Sequence, residues 1–232
     1  MSAPARFSLI RVVLAGLLTL AVSLAAAATD PRAPHEVVEQ TTTRLLSVID
    51  AGRGYYESDP ERFSREVQTV LDPVVDFDAF ARGVMGKYAS AQRYQALASQ
   101  AEKDAFRAEI ERFTTTFKSA LVQTYAGSLL KFGGGRIETL QPRSADLQRG
   151  SVGVVQHIYG KPDQPPFVVQ YTMRKDREGS WKVRNVVVEG INLGQTYRNQ
   201  FAAAAESSKG DISQVIDNWK VQPSVEKRGG QQ

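Results

Sequence analysis

The sequence predicts an α+β domain: a curved, four-stranded antiparallel sheet packed against N-terminal helices, with C-terminal helices closing it. Three observations predict it. Apolar residues recur at helical spacing between residues 34 and 125. The pattern then switches to alternation with period two, broken by Gly and Pro clusters, up to Glu189. Helical spacing resumes after Asn192.

The first 28 residues stand apart. Arg6 and Arg11 make a positive start, Val12 to Leu24 is an uncharged and mostly apolar run, and Ala25 to Ala28 supply small residues. This order predicts a secretory signal peptide over 1–28, cleaved after Ala27 or Ala28. The apolar run is 13 residues long, whereas a membrane span needs roughly 20. No twin arginine precedes it, and the chain has no Cys. A lipoprotein anchor, disulfides, thiol nucleophiles and thiolate metal sites are therefore excluded. A single domain is expected over 29–220, with a disordered tail over 221–232.

Residues 1–28 hold two of the 29 Lys and Arg and none of the 25 Asp and Glu, which leaves the rest near +2. That balance gives no reason to expect nucleic acid as a partner.

Each helix has its own start signal. Residues 34–50 present Val37, Val38, Leu45, Leu46 and Ile49, and end at Gly52 and Gly54. Asp59-Pro60 opens a second helix through Phe63, Val67, Val70 and Leu71. Asp72-Pro73 breaks the chain, and Asp76 caps a short helix with Phe77, Phe80, Val84 and Met85. Ser99 and Glu102 fit a capping box. Phe106, Ile110, Phe113, Phe117, Leu121 and Tyr125 then follow at steps of 4, 3, 4, 4 and 4, on one face of a long helix.

Gly133-Gly134-Gly135 stops that helix. Strands are predicted over 136–142, 151–159, 167–175 and 181–189, with Glu178-Gly179 as a hairpin turn. On the third strand Phe167, Val169, Tyr171 and Met173 share one face. Short connections make the pairing antiparallel. Helices over 193–206 and 211–220 close the chain.

Periodicity leaves the apolar faces open to two readings. If they meet closely they are a core; if the sheet curves away they line a cavity. A cavity enzyme, an isomerase or dehydratase, would need a general base and an oxyanion donor. Asp76 or Asp78 with Tyr125 or Tyr171 are the residues on offer, and no spacing singles them out. His35 and His157 have no motif partner, and no P-loop is present. No catalytic residue, metal or cofactor is expected.

One segment is more specific. Trp181-Lys182-Val183-Arg184-Asn185-Val186-Val187-Val188-Glu189-Gly190-Ile191-Asn192-Leu193, followed by Tyr197-Arg198 and Gln200-Phe201, resembles the hallmark of the MlaC-like family, also called the toluene-tolerance protein family. Val84-Met85-Gly86-Lys87-Tyr88 and Thr124-Tyr125-Ala126 with Leu129 resemble two shorter family segments. Asn185 stands where Asp is common, and the stretch from Tyr88 to Phe106 is longer than the family pattern.

The resemblance implies a periplasmic phospholipid carrier, monomeric, with an NTF2-like sheet and acyl chains in an apolar cavity. Its implied partners are phospholipid, an inner-membrane MCE-domain ABC transporter complex and an outer-membrane lipoprotein–porin complex. Given such a cavity, chain position points to the acyl-chain residues: Val74, Phe77, Phe80, Val84 and Met85 on the short helix and its approach, between a Pro break and Gly86. Phe106, Phe113, Phe117, Leu121 and Tyr125 on the long helix join them, as do Val169, Tyr171 and Met173 on the third strand. Val188, Ile191 and Leu193 complete the set at the end of the last strand. Arg198, Lys182 or Lys87 could approach a phosphate, but solvated charge is the simpler reading. Another hydrophobic ligand in place of phospholipid stays open.

Overall fold

Acidic and hydroxyl caps set most of the helix starts. The computed structural model describes residues 32–147, 150–160 and 164–223. The expected signal peptide and most of the expected tail lie outside the described residues. Helix α1 (Pro34–Gly52) begins on a proline, with the Glu36 carboxylate accepting the Ala33 N–H at 2.7 Å. Asp59 caps α2 (Pro60–Leu71) by accepting the Arg62 N–H at 2.9 Å. Asp76 does the same for α3 (Phe77–Met85) through the Ala79 N–H.

The long stretch after Tyr88 is filled by a 3₁₀ turn (Gly86–Ala89) and a short helix α4 (Ala91–Gln95), neither of which the sequence announces. Helix α5 (Gln100–Leu130) starts at the expected Ser99–Glu102 capping box. Its 31 residues make a rod about 46 Å long.

The sheet is a meander, β1-β2-β3-β4-β5, with every pair antiparallel. Its strands are β1 (Ile137–Leu140), β2 (Ser151–Ile158), β3 (Phe167–Lys175), β4 (Trp181–Val188) and β5 (Ile191–Asn192). A small helix α6 (Ser144–Leu147) sits between β1 and β2. The four expected strands thus become five. Glu189 and Gly190 have φ of 49° and 77°, the positive values a two-residue hairpin turn requires. The chain therefore folds back on β4 for two residues before Asn192 caps α7 (Leu193–Ser207). Helix α8 (Ile212–Asp217) follows, capped by Asp211.

A bulge shapes β4. Thr172 pairs with Asn185 and Met173 with Val183, so Arg184 is the extra residue. The bulge shifts the alternation by one. Trp181 and Val183 before it share an inner face with Val186 and Val188 after it. Simple alternation would turn one of these pairs outward.

Three apolar clusters form. One joins α3, α5, α7 and α8, and reaches Val221, one residue past the boundary expected at 220. A second joins the start of α1 to the inner face of β2, β3 and β4. The third joins the end of α1 to α2 and the end of α5. Gly52 lets α1 and α2 close up: a Cβ there would lie 2.4 Å from the Phe63 ring.

Candidate functional site: an apolar cavity where three cores fail to meet

The three clusters do not close on one another. Between them lies an apolar space of two adjacent lobes, about 240 Å³ and about 480 Å³. The smaller lobe is bounded by α1, α2, α3, the second half of α5 and the strand β4. The larger lies between α1, the end of α5, the sheet from β1 to β4 and the start of α7. Thr42, Leu45, Tyr125, Leu129, Tyr171 and Leu193 border both. Helix α1 packs on the sheet through Val37 and Val38 and against α2 through Ile49, and along the same length Val38, Thr42, Leu45, Leu46 and Ile49 border the void.

The lining is almost wholly hydrocarbon, and the polar atoms identified on it have partners. The Tyr125 and Tyr197 hydroxyls lie 2.7 Å apart in a hydrogen bond. Tyr171 donates to Gln156 Oε1 at 3.1 Å. Gln156, 2 % exposed, donates from Nε2 to Thr42 Oγ1 and Thr139 Oγ1, each at 3.0 Å. Buried polar groups left unpaired are costly; this network leaves the wall apolar toward a guest. At the outer end of the larger lobe Phe167 is 39 % exposed.

Burial pushes the Tyr171 phenol up to about 12. Its accessible surface faces the cavity, so the ring is screened from bulk water although not tightly packed. The neutral form is therefore the folded form. The unfolded chain loses this proton near pH 10, so stability is unaffected below that and falls between pH 10 and 12. The loss reaches about 3 kcal/mol at the upper end. Spectrophotometric titration of the phenolates should show a step near pH 12 that Tyr171→Phe removes. A wild-type curve that is complete by pH 11 would contradict this.

Of the residues expected at acyl chains, nine border the cavity: Val74, Phe77, Phe80, Leu121, Tyr125, Val169, Tyr171, Val188 and Leu193. Seven do not. Val84, Met85, Phe106, Phe113 and Phe117 lie in the helical cluster, and Met173 in the sheet cluster. Ile191 is half-buried on β5, paired with the lining residue Val188 but not itself part of either lining. The reason for the aromatic residues is shape. Phe113 meets Phe117, Phe201 and Trp219 at ring separations of 4.8–5.6 Å, and rings in these orientations fill space.

Sequence reasoning missed the α1 and α2 walls: Val38, Leu45, Leu46, Val67 and Leu71. It also missed Val183 and Val186, whose inward phase depends on the bulge. One signal was available. The apolar face of α5 changes from Phe at 106, 113 and 117 to Leu121, Val122 and Leu129, and the cavity begins at that change.

Of the residues considered for catalysis, Tyr125 and Tyr171 border both lobes, whereas the two aspartates, like the basic residues considered for phosphate, are engaged elsewhere. Asp76 pairs with Arg184 at 2.8 Å and Asp78 with Arg82 at 2.8 Å. Arg198 donates to the Gly83 carbonyl at 2.7 Å, and its stem rests on Gly86. Lys182 donates to the Pro73 carbonyl at 2.6 Å, and Lys87 lies over the Tyr88 ring. None of these charged residues borders either lobe. Asn185 accepts the Gly194 N–H and donates to Asn192, so it positions the start of α7. Among the described residues no cluster of three metal-ligating side chains occurs, and no helix is long and apolar enough to cross a membrane.

A solved structure shares this fold, and a curated protein is similar in sequence. A solved phospholipid-binding protein from Ralstonia solanacearum, in complex with a phospholipid, superposes with a TM-score of 0.65 at 22% identity. That match covers 80% of this chain and 94% of the other. The toluene tolerance protein ttg2D of Pseudomonas putida is 34% identical over 205 residues, 88% of this chain and 87% of its own. The family model described as MlaC protein matches residues 39–221, the span that runs from α1 to the last buried residue of the helical cluster. The chain therefore belongs to the MlaC protein family.

Proposed function

We propose that this protein is a periplasmic phospholipid carrier, holding acyl chains in the two-lobed cavity. It shuttles lipid between an outer-membrane lipoprotein–porin complex and an inner-membrane MCE-domain ABC transporter. The observation that supports this best is the cavity itself: a hydrocarbon wall at the junction of three cores, with its tyrosines and Gln156 already hydrogen-bonded. The Ralstonia protein of similar fold, solved with a phospholipid, gives further support.

Magnitudes fix how such a carrier must work. A chain of about 16 carbons gains about 12 kcal/mol on leaving water. Two chains would exceed the practical limit of about 20 kcal/mol for non-covalent affinity. Release into free water is therefore too slow to be useful. The cavity needs only to match a bilayer or a partner's cavity, and that balance can be near neutral. Transfer proceeds by docking and sliding, and the partners set its direction.

Native mass spectrometry of the purified mature chain tests the reading. A discrete added mass, identified in the organic extract as diacyl phospholipid, is expected. Reconstituted transporter complex should then exchange that lipid with labelled vesicles only when the chain is present. A chain that stays empty after incubation with phospholipid vesicles and the transporter complex would overturn the carrier role.

A further inference from the structure

Six residues border both lobes, and two of them are tyrosines. Tyr125 comes from α5 and Tyr171 from β3, and both border both lobes. Each is tied from behind. The Tyr125 hydroxyl bonds to that of Tyr197, which is fully buried on α7. The Tyr171 hydroxyl bonds to Gln156, itself held by Thr42 and Thr139. A lining that served only to exclude water could use Phe or Leu at both places. Buried phenols are tolerated only where their hydroxyls are satisfied, and the bonds that satisfy them also fix the rings.

We propose that Tyr125 and Tyr171 are a fixed partition that holds the two acyl chains of one phospholipid apart, one in each lobe, and thereby selects lipids by the inequality of their chains. This rests on the carrier reading and specifies its cargo. The lobes are about 240 Å³ and 480 Å³, so a pair of equal chains overfills one lobe or underfills the other. Each methylene forced back into water disfavours the complex about fourfold. A two-methylene overrun then amounts to about sixteenfold. Without the partition the chains could share one space, and only their summed length would matter.

The test separates this idea from the carrier reading. Vesicles would present two phosphatidylglycerols of equal total carbon, one with equal chains and one, isotopically labelled, with unequal chains. Native mass spectrometry reads the ratio of the two on the protein. Wild type should enrich the unequal-chain lipid by on the order of tenfold. Tyr125→Leu should bring the ratio toward one, and Tyr125→Phe, which keeps the ring but loses its tie to Tyr197, should fall between. Val186→Phe, which fills part of the smaller lobe, should shift binding from diacyl lipid toward single-chain lysophospholipid. Thermal melts identify any variant that has unfolded, and the remaining two then decide. If wild type takes no lipid, the carrier reading fails. If wild type takes lipid with a ratio of one, or Tyr125→Leu and Tyr125→Phe leave the ratio unchanged, the partition fails alone.

Discussion

Leu45→Glu should empty the protein of lipid while leaving it folded. Leu45 is half-buried on α1 and borders both lobes, so one carboxylate there faces the whole cargo. Its cost in the empty protein is small, because the void can hold water beside it. In the loaded protein the charge has no partner and no water. Covering a carboxylate in hydrocarbon costs at least about 3 kcal/mol even after it takes up a proton, a loss of roughly 100-fold in loading. The effect has a pH signature. The glutamate must be protonated to accept lipid, so loading should recover in part as pH falls below its raised pKa. Lipid extracted from the variant at pH 8 and pH 5 measures this. Leu140→Glu is the control, since Leu140 is exposed on β1 and borders neither lobe, and its loading should match wild type. Equal lipid in Leu45→Glu and wild type at pH 8 would mean that the cavity is not where the chains lie.

Phe113→Ala should do the opposite: weaken the fold and leave the cavity wall intact. Phe113 is fully buried, with three aromatic neighbours at ring distance. Phe-to-Ala changes in such settings cost about 3–5 kcal/mol. Urea unfolding should show a lower midpoint with an unchanged slope. Lipid bound per folded molecule should be close to wild type, because Phe113 does not border the void. A loss below 1 kcal/mol would mean that this cluster is looser than its ring packing suggests.

Much of the fold was legible because its punctuation is local. Asp59-Pro60, Asp76 and the Ser99–Glu102 pair mark helix starts by chemistry that needs no tertiary partner, and the structure uses all three. Glu178-Gly179 likewise lies in the turn between β3 and β4. The fifth strand was not legible, since two residues are too few to show a period. The bulge was hidden as well. Trp181 and Val183 alternate in one phase and Val186 and Val188 in the other, but the unbroken run Val186 to Val188 fits either phase.

The cavity was the hardest feature to read. Apolar stripes look the same whether they meet a partner or a void, so the aromatic half of α5 and its aliphatic half read as one face. Only the side-chain shapes differ. Phe106, Phe113 and Phe117 have matching rings opposite them, whereas Leu121, Leu129 and the middle of α1 have empty space.

Helix α1 can also be viewed as a beam. It rests on the sheet through Val37 and Val38 and on α2 through Ile49, and it walls the cavity from Val38 to Ile49. If acyl chains occupy the cavity as proposed, they bear on this helix along its length, whereas the empty protein supports it only through the residues that pack on the sheet and on α2.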